Sequence, residues 1–252
     1  MTVERHELGR VGFGSGAEAY ERSRPDYQPA AVEWIVDALE LQRGSTVLDL
    51  GAGTGKFTRA LMTHGLNVVA VEPSDDMRRV LNQVLPAVQV LPGTADAIPL
   101  PDQAVDAVAV AQAFHWFDAQ VALHEMARVL RPAGGIGLIW NERDESVPWV
   151  FELSRRMRWH ECRPYEVGMD FRPVVDSVGL FAPCRQHLFS FAEVLDHQGL
   201  LDRVGTSSYI VAMAESERED LLADVGGWIA TLPNPVHLPY VTAAYVARRL
   251  GH

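Results

Sequence analysis

The chain has 252 residues, 48 % of them hydrophobic, enough for one large α/β domain with a buried core. Its formal net charge of -11, from 22 basic and 33 acidic residues, opposes nonspecific attraction to nucleic acid or to an anionic membrane surface. Only Cys162 and Cys184 are present and neither sits in a C-x-x-C pair, so no disulfide framework is expected. With no apolar signal core and no apolar run near the ~18 to 20 residues of a membrane span, a cytoplasmic protein without membrane partners is expected.

Residues 1–28 are polar, yet Phe13, Ala19, Tyr20, Arg22, Arg24, Pro25 and Tyr27 form an aromatic and basic cluster too rich for a plain tail. Such a segment suits a lid folded over a cofactor. Pro29 to Leu41 is predicted as an amphipathic helix through Ala31, Trp34, Ile35, Ala38 and Leu39, with Gly44 as its stop.

From Thr46 onward the pattern alternates: strand 46–50, helix 56–64, strand 67–72, helix 75–85, strands 88–91 and 105–111, helix 118–130 and strand 135–140. Ser74 or Asp75 is expected to cap the second of these helices, and the turn Arg131 to Gly135 to end the last. This alternation implies a doubly wound parallel sheet covered on both faces. Residues 145–180 read as helical, broken by Pro148, Pro164 and Pro173, while 183–191 and 236–247 read as two further strands. Between those strands, Glu193 to Leu232 carries two helical stretches, one of them Glu215 to Ile229. The whole reads as a single domain, 1–252, whose insertions over 145–232 form a helical cover. Arg155, Arg156, Arg158 and Arg163 read as a solvated helix face rather than a polyanion site.

The centre of the chain is Val47-Leu48-Asp49-Leu50-Gly51-Ala52-Gly53-Thr54-Gly55-Lys56-Phe57. A buried strand stops in an acidic residue, and three alternating glycines leave no Cβ where a ligand must approach the backbone. Lys56 stands where the dinucleotide fingerprint needs its last glycine, and Phe57 breaks the phosphate-loop pattern. The following apolar run ends in Glu72, a carboxylate at the tip of the second strand that can accept from both hydroxyls of a ribose.

Further motifs follow in order: Tyr20-Glu21-Arg22-Ser23-Arg24-Pro25 before the glycine loop, Val90 to Leu100, Ala111-Gln112-Ala113-Phe114-His115-Trp116-Phe117, and Glu125 to Pro132. Together with the loop they resemble the small-molecule class I S-adenosylmethionine-dependent methyltransferases, of the methyltransferase domain 11-like type. The resemblance implies a Rossmann-like seven-stranded sheet of order 3-2-1-4-5-7-6 with strand 7 antiparallel. It implies S-adenosyl-L-methionine as cofactor, with Asp49, Gly51, Gly53 and Gly55 around its methionine moiety and Glu72 on its ribose. Thr94 and Ala95 match the adenine-contacting turn, and Gln112 lies where the fourth strand opens towards the methyl group. Thr94 stands where many relatives have Asp, which leaves the adenine amine to the Ala95 backbone or the Thr94 hydroxyl.

Methyl transfer from a sulfonium mainly needs alignment and exclusion of water, and a base only when the acceptor is protonated. His115 is the candidate base; the alternative is a histidine that orients Trp116 or caps helix 118–130. Tyr20 and Arg24 are expected to close on the cofactor carboxylate, or Arg24 to bind an acidic substrate. Trp116, Trp140, Trp149 and Trp159 line an apolar pocket or belong to the core. Of Asn141, Glu142 and Arg143, just past strand 5, Asn141 is taken as the substrate-pocket residue. Nine histidines lie scattered without metal-ligand spacing, so no metal is expected. The acceptor is expected to be a small molecule and the protein a monomer or homodimer. A protein that binds the cofactor without transferring methyl, or uses it for other chemistry, is the alternative.

Overall fold

The computed structural model describes residues 17–18, 21, 24–162 and 170–251. Seven strands form one sheet: β1 Thr46–Leu50, β2 Asn67–Val71, β3 Gln89–Leu91, β4 Val105–Ala111, β5 Leu130–Arg143, β6 Arg185–Leu195 and β7 Val236–Arg248. Their order is β3-β2-β1-β4-β5-β7-β6. The first five run parallel, and β7 is antiparallel to both β5 and β6. The Rossmann-like methyltransferase order is therefore present in full.

The helices are α1 Pro29–Ala38, α2 Lys56–Met62, α3 Asp75–Val84, α4 Ala119–Val129, α5 Pro148–Arg156, α6 Trp159–Cys162, α7 Arg172–Asp176, α8 His197–Gly205, α9 Ser208–Val211 and α10 Glu215–Ile229. Strand alternation sends neighbouring residues of β1 to opposite faces. Leu48 and Leu50 join Val108, Val110, Ile136 and Leu138 against Leu123 and Met126 of α4. Val47 joins Ala107, Ala109 and Ile139 against Ile35 of α1 and Phe57 and Leu61 of α2. Burial on both faces explains why these strands are continuous apolar runs.

Several boundaries differ from the sequence reading, each for a tertiary reason. The expected turn at 131–135 is instead an irregularity inside β5, which begins at Leu130 opposite Val105 and resumes its ladder at Gly135 opposite Ala107. Arg131 anchors this bulge to Asp106 at 2.7 Å. β5 also runs three residues beyond Trp140, because β7 pairs with it as far as Arg143. The ladder between β6 and β7 reaches Leu195 opposite Val236, so Glu193 to Leu195 are strand, and three helices rather than two follow. Within 145–180 the described helices are short, α5, α6 and α7. Ser74 is the cap of α3, its hydroxyl accepting from the Met77 N–H at 3.4 Å.

α5, α8, α9 and α10 share a core of their own, with Leu153, Val204, Ile210 and Val225 closing on Leu238 and Tyr240 of β7. Arg156 and Arg158 pair with Asp224 and Glu217 across this layer. Among the described residues no helix is long and apolar enough to cross a membrane.

Candidate active site

The loop between β1 and α2 is held from both sides. Gly51 and Ala52 donate to the Val71 carbonyl at 2.8 and 3.2 Å, and Gly53 donates to Glu72 Oε2 at 2.9 Å. The second oxygen of Glu72 accepts from Ser74 N–H at 2.9 Å. Each oxygen thus keeps accepting capacity for a ligand hydroxyl. Gly51 and Gly53 adopt φ of +74° and +56°, backbone that side chains rarely follow. A Cβ on Gly51 would meet that of Ala113 at 2.8 Å, whereas one on Gly53 would stand in open space.

Beneath the loop Asp49 is fully buried. Its Oδ2 accepts from the Thr58 hydroxyl at 2.5 Å, and its Oδ1 has no hydrogen-bond partner among the described residues. Burial, opposed by the Thr58 bond and reinforced by the charge of Glu72, pushes its carboxyl up to about 7. Burial also raises Glu72, against the two backbone N–H bonds that favour its charged form.

A cavity of about 550 Å³ opens at the carboxyl ends of β1, β4 and β5. Arg24, Gly51, Gly53, Gln112, His115, Trp116 and Asn141 all line it. Asp49, Gly55, Glu72, Thr94 and Ala95 lie outside its wall. Gly55 caps α2, and the Ala95 side chain is committed to the core, which leaves its backbone and the exposed Thr94 for contact at that turn. Tyr20 lies outside the described residues, as do Phe13, Ala19 and Arg22 of the same cluster.

Gln112 follows the last residue of β4 with φ +54°, a strained position held by its N–H to the Ile139 carbonyl and its side chain to the Asn141 carbonyl. Asn141 is fixed in turn by Thr242, whose hydroxyl donates to Oδ1 at 2.7 Å. His115 sits in a short turn, Phe114–Trp116, with ring centroids 4.7 Å from Trp116 and 6.2 Å from Trp140. Of the four tryptophans considered, Trp116, Trp140 and Trp159 reach the cavity, and Trp149 packs in the cover.

The sequence reading missed the latch across the loop. Glu21 accepts from the Thr54 hydroxyl at 2.5 Å and from Arg59 at 3.2 Å. Lys56 binds Asp26 at 3.1 Å, so the cation after the glycines holds the N-terminal segment. Arg24 donates to the Thr206 carbonyl at 3.0 Å, joining that segment to the cover. Contacts between residues so far apart in the chain leave no periodic trace.

A family profile for the methyltransferase domain matches residues 48–138, the stretch from β1 through most of β5. An uncharacterized methyltransferase of Mycobacterium tuberculosis is 43 % identical over 250 residues, covering 96 % of this chain and 97 % of that protein. The chain belongs to the class I methyltransferase family. This methyltransferase also resembles a protein from Anaeromyxobacter dehalogenans described as a type II methyltransferase, with a TM-score of 0.63 at 26 % identity over 91 % of this chain and 99 % of that one. It shares its fold with Haemonchus contortus phosphoethanolamine N-methyltransferase 2, solved in complex with S-adenosyl-L-methionine. That match has a TM-score of 0.60 at 16 % identity, over 98 % of this chain and 60 % of that one.

Proposed function

We propose that this methyltransferase uses S-adenosyl-L-methionine to methylate a small organic molecule by in-line displacement. The observation that carries the reading is the single cavity running from Gly51 and Gly53 to Gln112, His115, Trp116 and Asn141. Cofactor and acceptor can share it without crossing bulk water.

The residues fit the cofactor. Open space over Gly53 leaves the loop free to receive it, Glu72 retains acceptor capacity for a ribose, and Asp49 beneath the loop has an Oδ1 with no hydrogen-bond partner among the described residues. The lysine at the loop is engaged by Asp26 and so is not held out for a pyrophosphate. Thr94 and the Ala95 backbone would meet the adenine. The fold neighbour bound to S-adenosyl-L-methionine supports the same choice.

When bound, the cofactor supplies a methyl group already activated on a sulfonium. The protein's part is alignment, worth roughly 7 to 11 kcal/mol when the reacting atoms are held in line. Gln112 and Asn141, locked to each other and to Thr242, form a rigid polar wall. Trp116 and Trp140 exclude water from the acceptor side, and Tyr20 with Arg24 would close the segment 1–28 as a lid. A proton leaving a hydroxyl or amine acceptor would pass to His115, the titratable ring placed between those tryptophans.

Calorimetric titration with S-adenosylmethionine, S-adenosylhomocysteine and a dinucleotide tests this, with Glu72→Ala beside the native protein. Binding of the first two, weakened in the variant, followed by mass gain in an acceptor screen, is expected. Binding of the dinucleotide alone would overturn the cofactor, and binding without consumption would leave a sensor or scaffold.

A further inference from the structure

We infer that Arg143 is the anchor for an anionic oxyacid group, a carboxylate or phosphate, on the methyl acceptor. The inference rests on the methyl-transfer reading and names the class of molecule its cavity takes.

Arg143 is the last residue of β5, paired across the ladder with Tyr240, and it lines the cavity. It lies two residues beyond Asn141, so both share one face of the strand about 7 Å apart. An acceptor held by Arg143 therefore reaches back towards the wall formed by Asn141 and Gln112.

The guanidinium is oriented but its charge is not spent. Its Cζ lies over the Trp159 ring, 4.8 Å from the centroid, and its Nε donates to the buried Ser154 hydroxyl at 3.3 Å. Both contacts are neutral. Among the described residues no carboxylate lies within ion-pair distance, and Nη1 and Nη2 make no hydrogen bond. A guanidinium set over an aromatic ring with its fork open is the arrangement that receives a carboxylate or phosphate in bidentate fashion.

The carboxylates on the cavity wall argue for the same occupant, because they are already engaged. Asp170 is gripped by Arg172 at 2.7 Å, Glu145 meets His160 at 2.8 Å, and Asp144 accepts from Ser146 through both N–H and hydroxyl. Glu142 lines the same cavity and is not free either. In a chain with an excess of 11 acidic residues, a cavity arginine with no carboxylate partner among the described residues marks the place of an external anion.

The test is calorimetric titration of the full chain, with and without S-adenosylhomocysteine, using succinate, inorganic phosphate and butylammonium as probes. Saturable binding of succinate or phosphate is expected. It should weaken roughly tenfold or more in Arg143→Ala and recover partly in Arg143→Lys, which keeps the charge but loses the fork. The tighter of the two anions names the group. Anion binding equal in Arg143→Ala, no anion binding to the native protein, or binding of butylammonium alone would overturn the inference. An unchanged S-adenosylhomocysteine affinity in the variants shows that they are folded. Failure of the native protein to bind S-adenosylhomocysteine would sink the methyl-transfer reading in a separate titration, while the anion titrations still judge Arg143.

Discussion

Glu72 Oε2 accepts from the Gly53 N–H at 2.9 Å, so the carboxylate at the tip of β2 and the glycine loop after β1 form one unit. The same side chain that would hold the ribose also sets the loop. Glu72→Gln keeps one acceptor oxygen and the shape but loses the charge, whereas Glu72→Ala leaves both the Gly53 and Ser74 N–H groups without this partner. Hydrogen bonds to charged groups contribute about 1.5 to 3 kcal/mol each. S-adenosylhomocysteine affinity should therefore fall about tenfold in Glu72→Gln and a further tenfold or more in Glu72→Ala. Equal affinity in all three proteins would show that Glu72 serves the loop alone.

Gly51 and Gly53 should respond in opposite ways to the same substitution. Alanine at Gly51 sets a Cβ 2.8 Å from that of Ala113 and 3.5 Å from Phe117, at a positive φ. Strain and overpacking together should cost about 2 to 4 kcal/mol, read as a lower denaturant midpoint. Alanine at Gly53 meets nothing within 4 Å and should cost only about 1 kcal/mol of backbone strain. Its methyl stands in the cavity, so S-adenosylhomocysteine binding should fall more than stability does.

The sheet was legible because its strands are buried on both faces, as the runs 46–50, 67–71 and 105–111 show by themselves. The turn after β1 and the place of Glu72 at the end of β2 were legible for a related reason: alternating glycines and an acidic residue closing an apolar run mark a strand end locally. What stayed hidden depends on tertiary register. The extension of β5 to Arg143 follows from its pairing with β7, roughly a hundred residues on, and only that pairing brings Arg143 to the cavity. The latch through Glu21 and Lys56 joins segments that share no period, and Lys56 spoke in the sequence only by excluding other cofactors.

Asp49 should make the unliganded protein sensitive to pH in a direction opposite to most carboxylates. Burial pushes it up to about 7, well above the ordinary carboxylate value of about 3.9. Between those limits the unfolded chain has released its proton and the folded chain has not. Stability from this group is thus complete below about pH 4, declines as pH rises, and is lost above about 7. The loss is at most about 1.4 kcal/mol per pH unit across that window. Asp49→Asn still offers an oxygen to Thr58 but has nothing to ionise. Melting curves from pH 4 to 8 should show the native protein losing ground to the variant until pH 7 and holding a constant gap beyond it. Parallel curves would mean that Asp49 keeps its charge in the fold.

His115 separates a base from an orienting ring. His115→Asn removes the titrating group. As a base, its loss should lower kcat by about a hundredfold or more, remove the acid limb of the pH–rate profile and leave S-adenosylhomocysteine affinity unchanged. A variant that retains kcat and its pH profile would assign His115 to holding Trp116, 4.7 Å away.

The latch makes the last prediction, because its contacts differ in burial and so in weight. Glu21 receives a hydroxyl from Thr54, within the glycine loop itself, and a guanidinium from Arg59. Asp26 binds Lys56 and Arg59 from a far more exposed position. Burial works against its charge, but Lys56 and then Arg59 outweigh it and hold its carboxyl below the usual range. The contribution of Asp26 is therefore present above about pH 4 and lost only in stronger acid. Exposed ion pairs contribute about 0 to 1 kcal/mol, so Asp26→Ala should raise the S-adenosylhomocysteine dissociation rate no more than about fivefold. Glu21→Ala strips the loop hydroxyl of its acceptor and should raise that rate about tenfold or more, with the melting temperature nearly unchanged. Stopped-flow displacement of bound S-adenosylhomocysteine reads both rates. If neither variant dissociates faster than the native protein, the segment that carries Glu21 and Asp26 does not gate the cavity, and the ion pairs at Lys56 only fasten it to α2.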